Sequence, residues 1–164
     1  MKAIVVYESL WGNTAAIARA IAEGIGPEAR ALSTAEATEA EIAGADLIVA
    51  GAPVHAFSLP SEQSRKNAGG GNGKTPAPDL SHPAMRSWLA GLAPGKGLSA
   101  AFETAFKWSP SGATSRIGQA LQRAGYRPVS KAHRFLIAGG SGPLRDGEVE
   151  NAKAWGAELA RAMG

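Results

Sequence analysis

Cysteine is absent from all 164 positions of this sequence. The absence excludes disulfide bonds, thiol catalysis, and zinc or iron–sulfur centres held by cysteine, and we predict no metal site. No apolar run approaches the roughly 20 residues that a membrane helix needs. The first residues also lack the basic and then apolar pattern of a secretory signal. We therefore expect a cytoplasmic protein without a membrane span.

Acidic residues are scarce in the second part of the chain. Residues 1–62 carry 3 basic and 8 acidic groups, whereas residues 63–164 carry 14 basic and 6 acidic groups. The basic residues form no dense cluster interleaved with aromatics, which argues against nucleic-acid binding. Two interpretations of the asymmetry stay open: scattered solvated charge, or a basic rim with a function.

Apolar residues make up 45% of the chain, enough to fold as one domain over residues 1–164. Five apolar runs predict strands at residues 3–7, 29–32, 46–52, 98–103 and 134–139. Helical patterns lie between and after them, at residues 14–25, 38–42, 85–92, 117–124 and 149–163, the last with Asp146 as its expected cap. Alternating strands and helices predict a three-layer α/β fold with a doubly wound, five-stranded parallel sheet. Ligands of such sheets bind at the carboxyl ends of the strands.

The segment Ser-Leu-Trp-Gly-Asn-Thr at residues 9–14 lies at one of those ends, between the first strand and the first helix. Backbone N–H groups at a helix start, together with hydroxyl and amide side chains, form a site for an anion such as phosphate. A glycine lets the backbone close around the anion. The alternative is a tight connection without a ligand.

Two other nucleotide motifs fit less well. The dinucleotide fingerprint G-x-G-x-x-G is absent after the first strand. Residues 68–75 nearly match the pattern of the phosphate loop G-x-x-x-x-G-K-T, but Ala68 replaces its first glycine. In addition, no apolar strand precedes these residues, and Pro76 and Pro78 oppose a following helix. We interpret these residues as a flexible loop within a long connection, at about 53–83, that acts as a lid or is disordered.

The sequence resembles the flavodoxins in four places. Residues 9–14 are similar to the family's phosphate loop, Ser/Thr-x-Thr-Gly-Asn-Thr, with Trp11 in place of the middle threonine. Gly-Ala-Pro-Val-His at 51–55 resembles the second flavin-contacting loop, and residues 101–104 lie where the third begins. The turn at 140–144 and the helix with Trp155 are also similar to small flavodoxin-like proteins. The resemblance implies the strand order 2-1-3-4-5 and bound FMN.

The resemblance also implies three groups of cofactor-binding residues. The phosphate would be held by one group, and the ring system would lie between the other two. They are Ser9, Leu10, Trp11, Gly12, Asn13 and Thr14; Pro53, Val54, His55, Ala56 and Phe57; and Thr104, Ala105, Phe106 and Lys107. Lys107, or a protonated His55, would stabilise an anionic reduced flavin.

Further expectations concern the residue that stacks on the flavin, two histidines and the end of the first strand. No tyrosine follows the fourth strand, where many flavodoxins stack one on the flavin, and Phe106 or Trp108 would replace it. His82 and His133 are expected in a surface loop and a strand, and Glu8 at the end of the first strand.

Three functions follow from the resemblance. The first is an FMN-dependent oxidoreductase acting on a quinone-like or other small acceptor, with NAD(P)H as a candidate reductant. The second is a one-electron carrier that docks redox partner proteins, and the third is a flavodoxin-like binding domain without flavin. A homo-oligomer is compatible with each, and the sequence assigns no catalytic residue.

Overall fold

The computed structural model describes residues 1–55, 57–68 and 76–164. The chain alternates strands and helices from end to end. The strands are β1 (Ala3–Tyr7), β2 (Ala29–Ser33), β3 (Leu47–Pro53), β4 (Leu98–Ala105), β5 (Arg127–Pro128) and β6 (His133–Leu136). The helices are α1 (Asn13–Ile25), α2 (Glu39–Ile42), α3 (Glu62–Asn67), α4 (Met85–Ala90), α5 (Thr114–Arg123) and α6 (Glu148–Ala162).

All strand pairs are parallel, and the sheet order is β2-β1-β3-β4-β5, which confirms the predicted fold. The predicted fifth strand is divided in two. β5 pairs with the start of β4 at Leu98 and Ser99, and β6 pairs with its end, from Phe102 to Ala105. Two short strands, β5 and β6, therefore occupy the place beside β4 where the sequence predicted a single strand, and the sheet has six strands.

Alternating side chains of the central strands build a core on each face of the sheet. Ile4 and Val6 of β1 belong to the core under α4 and α5, whereas Ala3 and Val5 belong to the core under α1 and α6. Apolar residues on both faces of a strand are expected where helices cover both sides of a parallel sheet. Among the described residues, no helix is both long and apolar enough to cross a membrane.

Two predictions about elements were wrong. The connection at 53–83 contains a helix, α3, which begins with a capping box between Ser61 and Ser64. The cap residue of α6 is Gly147, which makes no side-chain cap hydrogen bond, so Asp146 does not cap this helix. The interpretation of residues 69–75 as a flexible loop falls outside the described residues.

Candidate functional site

The loop between β1 and α1 presents free hydrogen-bond donors. Among the described residues, none accepts a hydrogen bond from the backbone N–H of Leu10, Trp11, Asn13 or Thr14. Gly12 has φ 92°, a conformation that other residues rarely adopt, and it turns the chain into α1. Unpaired N–H groups at the start of a 13-residue helix form a site suited to an anion.

Hydroxyl groups lie behind this loop with protons to donate. Ser9 Oγ accepts from the N–H of Gly12 at 3.1 Å and of Ala15 at 3.2 Å, so its own proton is free for a ligand. Thr14 Oγ1 lies 2.8 Å from Thr104 Oγ1, and both residues are buried. Since one hydroxyl of this pair donates to the other, the second proton stays free. Thr104 thus joins the end of β4 to the start of α1.

A cavity of about 640 Å³ adjoins the loop at the carboxyl edge of β3, β4 and β6. Its walls carry no Asp, Glu, Lys or Arg among the described residues, and this volume is typical of cofactor sites. The lining residues are Trp11, Pro53, Val54, His55, Phe57, Ser64, Asn67, Ala68, Thr104, Ala105, Phe106, Trp108, Ser109, Ile137, Gly140 and Ser141.

Three aromatic side chains stand at the mouth of this cavity. Phe106 and Trp108 stack with centroids 5.2 Å apart, and Phe57 meets Trp108 edge to face at 6.5 Å. Trp108 is 69% exposed and Phe57 is 48% exposed, so neither belongs to the core. Large exposed aromatic surfaces beside an apolar cavity suit a planar ligand ring.

The electrostatics of the cavity differ from the sequence prediction. Burial, together with the Arg65 cation, lowers the pKa of His55, so this imidazole is neutral at pH 7. His55 Nδ1 lies 3.1 Å from Ser64 Oγ of α3. Lys107 is exposed and does not line the cavity. Neither predicted source of positive charge is therefore available beside a ring in this cavity.

A buried polar cluster, which sequence analysis missed, supports the loop from behind. Glu8 is completely buried, with Oε1 accepting from the Met85 N–H at 2.8 Å and Oε2 lying 3.1 Å from Arg65 Nε. Arg65 Nη2 donates to the His82 carbonyl at 2.6 Å, and His82 Nε2 accepts from the Ser9 N–H at 3.3 Å. The expectation of a surface His82 was wrong, because this side chain closes the base of the loop.

Burial dominates the protonation of that cluster. Loss of water raises the pKa of Glu8 to about 7, although the Met85 N–H and the Arg65 cation both act to lower it. Burial and Arg65 lower the pKa of His82. Glu8 thus directly follows β1, as expected, and burial makes its carboxyl group hold a proton more readily than an exposed carboxyl does.

Most of the predicted residues lie around one space. Eight of the predicted residues line the cavity: Trp11, Pro53, Val54, His55, Phe57, Thr104, Ala105 and Phe106. Ser9, Leu10, Gly12, Asn13 and Thr14 form the adjoining loop, and Ala56 lies outside the described residues. The Asn13 side chain meets Gly142, which brings the 140–144 turn beside the loop.

Sequence analysis missed the contribution of α3. One wall of the cavity is formed by Ser64 and Asn67 of α3 and by Ala68 at its end. The sequence did not indicate this wall because the helix itself was not predicted. His133 is half-buried in β6 and stacks on Phe135 with centroids 4.3 Å apart, so it belongs to the core rather than to the site.

Known proteins with the same fold were compared with this chain. The family model described as a flavodoxin domain matches residues 4–65. A flavodoxin from the domain Archaea superimposes with a TM-score of 0.70 and 24% identity over 99% of both chains. Oxidised Flavodoxin 1 from Bacillus cereus gives 0.66 and 20% over 98% of both chains.

Larger proteins contain the same architecture as one part. The rubredoxin:oxygen oxidoreductase of Desulfovibrio gigas matches with a TM-score of 0.65 and 18% identity, over 99% of this chain and 36% of that one. Among proteins with curated descriptions, none matches this sequence. The chain therefore has the flavodoxin-like fold, and its residues 4–65 carry the sequence pattern of a flavodoxin domain.

Proposed function

We propose that this chain binds FMN and is a redox protein, an oxidoreductase for a quinone-like or other small acceptor. One observation carries the proposal. A loop with free anion donors and a neutral, aromatic-lined cavity adjoin at the carboxyl edge of the sheet. FMN has the matching shape, with a terminal phosphate at one end and a planar ring at the other.

The residues of the loop fit a phosphate without a counter-ion. The N–H groups of Leu10, Trp11, Asn13 and Thr14 would donate to its oxygens, as would the Ser9 hydroxyl. The Thr14 hydroxyl would also donate to the phosphate, with the Thr104 hydroxyl donating to Thr14 Oγ1. A helix start adds partial positive charge that stabilises a dianion there. Trp11 contributes no hydroxyl, and its indole N–H donates instead to the Pro76 carbonyl at 2.8 Å.

The cavity fits the ring system. Pro53, Val54 and His55 would lie along one side of the ring, and Thr104, Ala105 and Phe106 along the other. FMN, when bound, supplies the electron-transfer chemistry, and the chain's residues orient the ring and limit its contact with water. Because no Lys or Arg among the described residues lines this cavity, none of those side chains offsets negative charge on a reduced ring, and we expect a low reduction potential.

Spectroscopy and turnover together test this proposal. The purified chain should be yellow, and NAD(P)H should reduce it and support steady reduction of a soluble benzoquinone without a second protein. The variant Phe106→Ala should reduce turnover, whereas Phe135→Leu, in β6 and buried in the core under α1 and α6, should affect stability instead. A colourless protein that takes up no flavin would favour a flavin-free binding domain.

The exposed aromatic mouth favours an electron carrier as the second candidate function. Trp108 and Phe57 are solvent-exposed beside the cavity, where a partner protein would reach the ring edge. If NAD(P)H reduces the chain only when a separate reductase is added, the carrier is the better description. A cytoplasmic location and a homo-oligomer stay predictions from the sequence.

A further inference from the structure

A second cavity lies on the sheet face that carries α4 and α5, away from α1 and α6. It is a groove of about 820 Å³ whose floor includes Leu59, Leu89 and Leu92. Three exposed arginines line it, Arg86 on α4 and Arg116 and Arg123 on α5. No Asp or Glu lines it among the described residues. We call this feature the arginine groove.

The positive charge of the arginine groove is not neutralised. Arg86 is held by the carbonyl oxygens of Leu59 and Pro60, at 2.9 and 3.4 Å, which are uncharged acceptors. Within the described part of the chain, neither Arg116 nor Arg123 forms an ion pair. Fixed, unpaired cations at a surface groove attract anionic groups.

The stretch of chain that contains most of the groove is rich in basic residues. Residues 80–145 contain nine Lys or Arg and a single acidic residue, Glu103. That carboxylate is buried and bonded to Arg134 Nε at 2.6 Å, so it does not screen the surface. Lys96, in the connection that follows α4, and Arg127, in β5, are exposed, although Lys96 lines a neighbouring cavity together with Glu39 and Asp46. The excess of basic residues thus extends along the chain beyond the three groove arginines.

The arginine groove adjoins the candidate flavin cavity. Phe57 lines the cavity, and the next residues, Ser58 and Leu59, line the groove. Ser111 Oγ donates to the Phe57 carbonyl at 2.8 Å and closes the wall between the two spaces. A molecule seated in the groove would therefore lie beside the mouth of the cavity.

We propose that the arginine groove docks an acidic protein partner, whose Asp and Glu side chains pair with Arg86, Arg116 and Arg123. The apolar floor accommodates an apolar side chain at the centre of the contact, as in protein interfaces. A small anion needs neither this apolar floor nor three arginines spread over two helices, so both features favour a protein. The inference rests on the proposed redox function only in expecting that partner to be a redox protein.

Binding measurements with two probe proteins of opposite charge test the proposal. The acidic probe is a plant-type ferredoxin and the basic probe is cytochrome c. The test variant is Arg116→Glu with Arg123→Glu. The matched control is Lys153→Glu with Arg161→Glu, which makes the same charge change on the exposed surface of α6, across the sheet. Calorimetry gives Kd, and amide chemical shifts of the wild-type chain locate the contact.

We expect ferredoxin to shift amide signals of α4 and α5 and to bind at least tenfold more weakly when salt rises from about 20 mM to about 0.5 M. The groove variant should raise Kd for ferredoxin at least tenfold at low salt, and the α6 control should change it less than about threefold. Cytochrome c should bind to neither region.

Three results would overturn the docking proposal. Equal weakening by both variants would show that net charge alone attracts the probe. Shifts confined to other elements would place the contact elsewhere, and this readout does not depend on the variants folding. Displacement of ferredoxin by inorganic pyrophosphate beyond the effect of chloride at equal ionic strength would assign the groove to a small anion. Flavin absorbance of each sample is recorded separately, so failure of FMN binding is distinguishable from failure of docking.

Discussion

At the scale of residues, the buried threonine pair links the loop that would hold phosphate to the strand beside the ring. Thr14 and Thr104 are both 2% exposed, and their hydroxyl oxygens lie 2.8 Å apart. In the proposed site, a hydroxyl in this place would serve both the fold and the ligand. Its two roles are separable, because serine keeps the hydroxyl and alanine removes it.

The variant Thr14→Ala should weaken FMN binding by about ten- to a hundredfold, because a hydrogen bond to a charged group contributes about 1.5–3 kcal/mol. The variant Thr14→Ser should bind FMN within about threefold of the wild type. Quenching of flavin fluorescence on binding measures both. Equal affinities for the alanine and serine variants would show that the Thr14 hydroxyl does not hold the ligand.

A second residue-scale prediction concerns Glu8 and pH. Its pKa is about 7 in the folded chain, against an ordinary value of 4.5. The folded state therefore holds the proton more tightly, and the resulting stability is present below pH 4.5 and is lost as pH rises through about 7. Glu8→Gln cannot titrate, although it removes the buried carboxylate partner of Arg65, which keeps only the exposed Glu62 carboxylate at 3.6 Å, and it therefore lowers stability at every pH.

The free energy of unfolding of the wild type, relative to Glu8→Gln, should fall by roughly 2–3 kcal/mol between about pH 5 and pH 8. Urea unfolding of both proteins at several pH values measures it. Taking the difference cancels the contributions of His55 and His82, whose pKa values are lowered and whose effect on stability has the opposite sign. Parallel pH profiles for the two proteins would mean that Glu8 does not titrate in this range.

At the scale of elements, α3 connects the buried cluster to the cavity. One side of this short helix carries Arg65, which pairs with Glu8, and Ser64, which meets His55. The capping box at Ser61 fixes where the helix begins. Stability of α3 should therefore influence ligand affinity, whereas stability of a helix remote from the cavity should not.

Two cap substitutions compare such helices. Ser61→Ala in α3 and Thr38→Ala in α2 each remove a side-chain cap, at a cost of about 1 kcal/mol of stability. Ser61→Ala should also weaken FMN binding about three- to tenfold, since Ser64, Asn67 and Ala68 line the cavity. Melting temperatures and FMN titrations of the two variants decide the matter. An equal effect of both caps on affinity would exclude a specific contribution of α3.

The elements also show where sequence patterns were sufficient. The apolar stripe Ile17, Ile21 and Ile25 predicted α1, and the apolar run before Pro53 predicted β3. These patterns were sufficient because residues that pack against the core must be apolar and recur with the period of the helix or strand. α3 was missed because all six of its residues are polar, so the helix has no apolar period. Its capping box has serine at the third helical position, where the usual pattern has Glu or Gln.

Only the local part of the candidate site could be predicted from the sequence. The phosphate loop is local in sequence, so residues 9–14 identified it. The Glu8–Arg65–His82 cluster joins residues 57 and 17 positions apart, and only the folded chain brings these together. His82 looked like a loop residue because nothing adjacent to it in sequence indicates burial.

At the scale of the whole molecule, the sheet separates two chemically different faces. α1 and α6 pack closely on one face. Gly24 and Gly156 each lie against the backbone of the other helix, so neither position has room for a side chain. The other face carries α4, α5 and the arginine groove. The cavity opens at the carboxyl edge that both faces share, so ligand binding and partner docking can be altered separately.

A titration of the flavin-free chain with FMN and FAD decides whether this edge of the sheet binds FMN. The loop offers one helix start, suited to a terminal monophosphate, and FAD would have to bury its second phosphate and adenosine beside it. We predict one FMN per chain and clearly weaker binding of FAD. The absence of FMN binding, or FAD binding as tight as that of FMN, would contradict the account.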